Sequence, residues 1–95
     1  MPAYFIVDVN IKDTKDYDTY KQGAAASIAQ YGGRYLVRGG QHEVLEGTWQ
    51  PTRLVVLEFP SMEVAKRWYA SAEYEKVKPI RLQNAVSDMV LVEGL

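Results

Sequence analysis

The chain has 95 residues, of which 47% are apolar and 24% charged, with a formal net charge of −1. These values describe one globular domain and exclude a disordered chain. The absence of cysteine removes disulfides, thiolate nucleophiles and thiolate metal sites.

The start of the chain, Met1-Pro2-Ala3-Tyr4-Phe5-Ile6-Val7-Asp8, has no basic lead and too short an apolar run for a signal peptide. Nothing approaches the roughly 20 apolar residues of a membrane span, so no membrane partner is expected and a cytoplasmic location is the default. Residues 3–10 read as a strand, because Tyr4, Phe5, Ile6, Val7 and Val9 are β-formers. Asp13 or Thr14 offers a helix N-cap, with Asp16 in the first turn where the macrodipole favours an anion. The helix is expected to run to about Tyr31, with Tyr17, Tyr20, Ala24, Ile28 and Tyr31 facing inward at steps of three and four. Gly32-Gly33 supplies its stop.

A second strand begins at Arg34 and takes in Tyr35, Leu36 and Val37, then Val44 and Leu45, with Gly39-Gly40 as a bulge between them. Residues 47–52, containing Pro51, form a turn. Residues 53–59 form the third strand, which Pro60 stops. Ser61 caps a second helix whose inward stripe is Val64, Ala65, Trp68, Tyr69 and Ala72. Residues 73–82 suggest a short helix broken near Pro79, and Val86 to Glu93 is the last strand. The order is βαββαβ, an α+β ferredoxin-like arrangement. Right-handed crossovers place both helices on one face of a four-stranded antiparallel sheet.

An antiparallel sheet with one wet face alternates apolar and polar residues. Here Phe5-Ile6-Val7, Leu54-Val55-Val56-Leu57 and Met89-Val90-Leu91-Val92 are apolar on both faces. The helices cover one face, so a second copy is expected on the other, making a homodimer through the helix-free face. The alternative is a monomer with a partly exposed sheet.

Several segments resemble a known family: residues 32–40 (Gly-Gly-Arg-Tyr-Leu-Val-Arg-Gly-Gly), 54–61 (Leu-Val-Val-Leu-Glu-Phe-Pro-Ser), 68–74 (Trp-Tyr-Ala-Ser-Ala-Glu-Tyr), Arg81, and 91–94 (Leu-Val-Glu-Gly). Taken together the chain resembles the domain of unknown function 1330 family, within the dimeric α/β-barrel (ferredoxin-like) superfamily. The resemblance covers essentially the whole chain and implies the fold and a barrel-forming dimer. Its superfamily includes small monooxygenases, haem-degrading enzymes, lactone isomerases and ligand-sensing domains. Carrying any of these activities over to this chain is fold-level analogy. One departure is Ala72, where the family usually has proline, which implies a looser start to the short third helix.

Regular pairing through the turn sets Val44 beside Arg53 or Leu54, and hence Arg38-Gly39-Gly40 beside Glu58-Phe59. Asp8 falls at the corresponding end of strand 1. A polar pocket follows in which Arg38 holds an anionic or carbonyl group and Glu58 or Asp8 moves a proton. Tyr17, Tyr20, Trp68 and Tyr74 supply aromatic walls, and Gly39 frees space beside Arg38. Arg81 joins this ligand-binding set. The competing reading is a structural Arg38–Glu58 pair in a crowded sheet. His42, the single histidine, has no second histidine with which to build a common metal site. Neither a metal nor a cofactor is expected, and no basic face supports a nucleic-acid partner. Two readings of function stay open: a small-molecule site, in a cofactor-free monooxygenase- or isomerase-like enzyme, and a non-catalytic dimerisation or ligand-sensing module.

Overall fold

The alternation of buried and half-buried residues along the first strand sets the architecture. In the computed structural model, which describes residues 1–95, β1 spans Ala3–Ile11. Its odd-numbered members Ala3, Phe5, Val7 and Val9 are buried, while Tyr4, Ile6, Asp8 and Asn10 face the other way. The further elements are α1 (Tyr17–Gln30), β2 (Arg34–Arg38), β3 (Leu54–Phe59), α2 (Met62–Tyr69), α3 (Ala72–Glu75), α4 (Lys78–Asn84) and β4 (Ala85–Glu93). The sheet order is β2-β3-β1-β4 and every neighbouring pair is antiparallel.

The core joins the odd face of the sheet to the helices. Phe5, Leu57 and Phe59 meet Ala24, Ile28, Ala65, Trp68, Tyr74 and Val77. Trp68 and Tyr74 are fully buried with ring centroids 4.2 Å apart. The Trp68 indole N–H donates to Ser27 Oγ at 2.9 Å, and Ser27 donates to the Ala24 carbonyl at 2.8 Å. The chain forms a slab of 37 × 35 × 17 Å, one sheet and one helix layer thick. No helix is long and apolar enough to cross a membrane.

Several boundaries differ from the sequence reading. The first helix starts at Tyr17: Asp13 instead caps a turn by accepting from the Lys15 N–H at 2.9 Å, and Asp16 sits at φ 61° without a capping hydrogen bond. The second strand ends at Arg38, and residues 39–53 form neither helix nor strand. Gly39, at φ 72°, turns the chain out of the sheet, and its N–H donates to the Leu54 carbonyl at 2.8 Å as the last rung. The bulge lies at Leu36 and not at the glycines, because the register slips between Tyr35 and Val37. Pro79 opens α4 rather than breaking a helix, since its missing N–H costs nothing in a first turn. Ala72 stands at the first position of α3. Ser71 Oγ accepts from the Tyr74 N–H at 3.1 Å and holds the start.

Candidate functional site

The bulge at Leu36 has a direct consequence for the site. Strict alternation after Tyr35 would send Arg38 to the opposite face of the sheet. The extra residue restores Arg38 to the helix side, opposite Val55, where its guanidinium lies 4.4 Å from the centre of the Tyr35 ring. Tyr35 and Arg38 therefore edge a cleft between sheet and helices. Its floor is Val7, Val9, Val55, Leu57 and Met89; Tyr17, Tyr20, Trp68 and Tyr74 wall it. The cavity volume is about 50 Å³, room for roughly three or four water molecules.

Arg81 reaches this cleft from α4 and is only 4% exposed. Its Nε donates to Tyr74 Oη at 3.2 Å, and its Nη1 bonds Ser87 Oγ. Tyr74 Oη also pairs with Tyr20 Oη at 2.8 Å. No carboxylate pairs with Arg81: the ion pairs of the chain are Arg34–Glu58, Arg67–Glu63 and Lys78–Glu75. Its Nη2 has no protein partner, and no buried polar side-chain atom goes unsatisfied. Nη2 therefore faces accessible space.

Burial disfavours the Arg81 cation, but the neighbouring Tyr74 oxygen, which accepts its hydrogen bond, more than offsets this and raises its pKa. Burial likewise pushes up the Tyr17 phenol, against the pull of Arg81 and Arg53. It pushes up Tyr35 against Arg38, and Tyr20 far above the usual tyrosine range. Those three phenols keep their protons at neutral pH and act through hydrogen bonds and ring surface. The charged side chains lining the cleft are Lys21, Arg38, Arg53 and Arg81; no Asp or Glu lines it. The charge that this lining presents to the cleft is therefore positive only.

The structure thus brings Arg38, Tyr17, Tyr20, Trp68, Tyr74 and Arg81 together, and separates them from Glu58 and Asp8. The expected Arg38–Glu58 neighbourhood is corrected: Glu58 lies opposite Arg34, whose Nε donates to it at 2.7 Å, on the helix-free face. The turn-based count fails because the chain leaves the sheet at Gly39. Asp8 shares that helix-free face and ties down the base of the 39–53 segment. It accepts from the Thr52 N–H at 2.9 Å, the Arg53 N–H at 3.4 Å and the Trp49 indole at 3.2 Å. The Thr52 bond is the main reason its pKa lies below the usual carboxylate value. His42 Nε2 donates to the Pro51 carbonyl at 3.0 Å and braces the same segment. Gly39 does not line the cleft. A Cβ there would stand 2.7 Å from Arg53 Nε, so the glycine makes room for Arg53.

Sequence reasoning missed Lys21 and Arg53. Both left a signal. Arg53 immediately precedes β3 and shares parity with its buried members Val55, Leu57 and Phe59, which marks it for the helix side. Lys21 lies four residues after Tyr17 on the inward stripe, with its Nζ 5.9 Å from the Tyr17 ring centre.

A family model described as a domain of unknown function (DUF1330) matches residues 2–95. The chain belongs to the DUF1330 family. The fold of this DUF1330 chain is similar to that of a protein of unknown function from Rhodopseudomonas palustris, at 18% identity and a TM-score of 0.79, covering 99% of this chain and 82% of that one. It is also similar to a mutant form of SnoaB, a cofactor-independent oxygenase from Streptomyces nogalater, at 13% identity and a TM-score of 0.65. Coverage there is 98% of this chain and 92% of the other. A conserved protein of unknown function from Bacteroides thetaiotaomicron matches at 16% identity and a TM-score of 0.65, over 98% and 97% of the two chains. At these identities the likeness concerns the ferredoxin-like fold. A search among curated proteins finds no match.

Proposed function

We propose that this DUF1330 protein binds a small organic anion in the cleft between sheet and helices, with Arg81 as the buried anchor. One observation carries the reading: a guanidinium 4% exposed, with no carboxylate partner, lines a cleft whose charged lining is wholly cationic. Burying a charge is costly unless something pairs with it. The chain supplies no pair, so the ligand is the natural counter-ion. The chemistry such a lining favours is stabilisation of an enolate or phenolate oxygen. That is the requirement of a cofactor-free oxygenation or isomerisation of a carbonyl compound, and the fold shared with a cofactor-independent oxygenase is in keeping with it. Glu58 and Asp8 have no part in this proposal, since they lie across the sheet.

The test compares benzoate with its neutral isostere benzamide by calorimetry, on the wild type and Arg81→Met. Benzoate should bind at least about tenfold more tightly, and Arg81→Met should abolish the difference. Equal affinities in the wild type, or an unchanged benzoate affinity in the variant, would overturn the reading.

The helix-free face supports a second, compatible proposal. Val37, Val86, Val90 and Val92 are exposed there, and Trp49 lies against it through its bond to Asp8. An apolar surface of this kind marks an interaction site. The 37 × 35 Å outline of the slab exceeds the roughly 800 Å² that each partner commits to a standard interface. We propose a second copy of the chain as the partner.

A further inference from the structure

The cations of the cleft fall into two groups. Arg81 is deep, while Arg38 is exposed and Arg53 and Lys21 are half-buried at the rim. None of the three rim cations enters an ion pair or a side-chain hydrogen bond. This chain has 12 acidic residues against 11 lysines and arginines, so acids were available to neutralise the rim and none is placed there. Like charges gathered without a counter-charge repel one another, by about 1 kcal/mol per pair at 4 Å even in water.

The rim is also built. The Leu36 bulge brings the Arg38 guanidinium to 4.4 Å from the Tyr35 ring centre. Arg53 lies against Gly39, where a Cβ would stand 2.7 Å from its Nε. Tyr17 lines the same cleft as Arg81 and Arg53. The cleft is narrow, about 50 Å³, and open on one side. The body of any larger ligand must extend towards the rim.

We infer that the cleft selects a ligand with two anionic groups, one held by Arg81 in the depth and one by Arg53 and Arg38 at the rim, joined by a short flat body lying along Tyr17 and Tyr35. The inference rests on the anion-binding reading above and adds a substrate class to it: a small planar dicarboxylate, or a carboxylate with a second acidic oxygen.

Three probes of one shape separate the two claims: benzoate, 1,3-benzenedicarboxylate and 3-carbamoylbenzoate, whose second group is neutral. Inorganic phosphate serves as a compact anion. In the wild type the dicarboxylate should bind about tenfold or more tightly than 3-carbamoylbenzoate. That advantage should disappear in the double variant Arg38→Met/Arg53→Met and persist in Arg53→Lys. It should also shrink as salt shortens the screening length below about 8 Å. Arg81→Met should weaken all three aryl carboxylates together. Far-UV circular dichroism checks that each variant is folded. If the dicarboxylate and 3-carbamoylbenzoate bind equally, the rim subsite is refuted while the Arg81 anchor stands. Phosphate binding as tight as the dicarboxylate would refute the two-point spacing. If no aryl carboxylate binds, both claims fall.

Discussion

Replacing Arg81 with methionine separates a ligand anchor from a structural strut. Met is long and unbranched and can fill the same channel while removing the charge. Two hydrogen bonds are lost, to Tyr74 Oη and Ser87 Oγ. Bonds to a charged donor contribute about 1.5–3 kcal/mol each, so about 3–6 kcal/mol of gross interaction disappears. Against this stands the cost of holding a guanidinium at 4% exposure without a carboxylate, several kcal/mol for a buried ion. Neither acceptor is stranded by the change. Tyr74 keeps Tyr20 at 2.8 Å, and Ser87 is half-buried. The net effect should therefore lie between neutral and about 2 kcal/mol stabilising, in line with removal of buried charges elsewhere. For a domain of this size each kcal/mol moves Tm by about 4–8 °C. Thermal unfolding followed by circular dichroism, at fixed protein concentration, should show Tm unchanged or raised. The same variant should lose benzoate binding. A loss of about 3 kcal/mol or more, the cost of breaking a buried ion pair, would mark Arg81 as a strut and refute the reasoning.

Other consequences follow from the same geometry. Gly33→Ala places a Cβ 2.6 Å from Phe59 Cε1 and 2.9 Å from Ile28 Cγ2; overpacking of this kind costs about 1–3 kcal/mol, readable as a lower urea midpoint. Asp8 has a folded pKa below its unfolded value, chiefly through the Thr52 N–H. Its contribution is thus present above about pH 4 and lost as pH falls through the folded pKa. Trp49 fluorescence should report this loosening below pH 4, and Asp8→Ala should remove the acid transition. Val90→Asp puts a charge on the helix-free face and should convert a dimer to a monomer in sedimentation velocity; a wild type that sediments as a monomer at micromolar concentration would contradict the dimer.

The fold was legible because each strand carries its face in its parity. Phe5, Val7, Val55, Leu57 and Phe59 alternate with half-buried residues, and the Ser61 cap marks α2 without ambiguity. The membership of the cleft was partly legible, since Tyr17, Tyr20, Trp68 and Tyr74 fall on inward helical stripes and α3. What failed was register. A bulge at Leu36 and an exit from the sheet at Gly39 are backbone events, and Val44 and Leu45 are strand-formers by propensity that have no strand to pair with. One misplaced turn moved Glu58 from Arg34 to Arg38 and drew the acid–base pair onto the wrong face. Arg81 lacks any sequence mark of its buried, unpaired state, which emerges only when α4 packs against Tyr74 and Ser87.

The most direct measurement uses the two indoles as internal markers, Trp68 buried beside the cleft and Trp49 on the opposite face of the sheet. Titration of the labelled protein with 1,3-benzenedicarboxylate should shift the NMR signals of Arg81 Nε–H and Trp68 Nε1–H in a saturable manner and leave Trp49 Nε1–H in place. Saturable shifts confined to Trp49 and the 39–53 segment, or no shift at any site, would contradict an anion site built around Arg81.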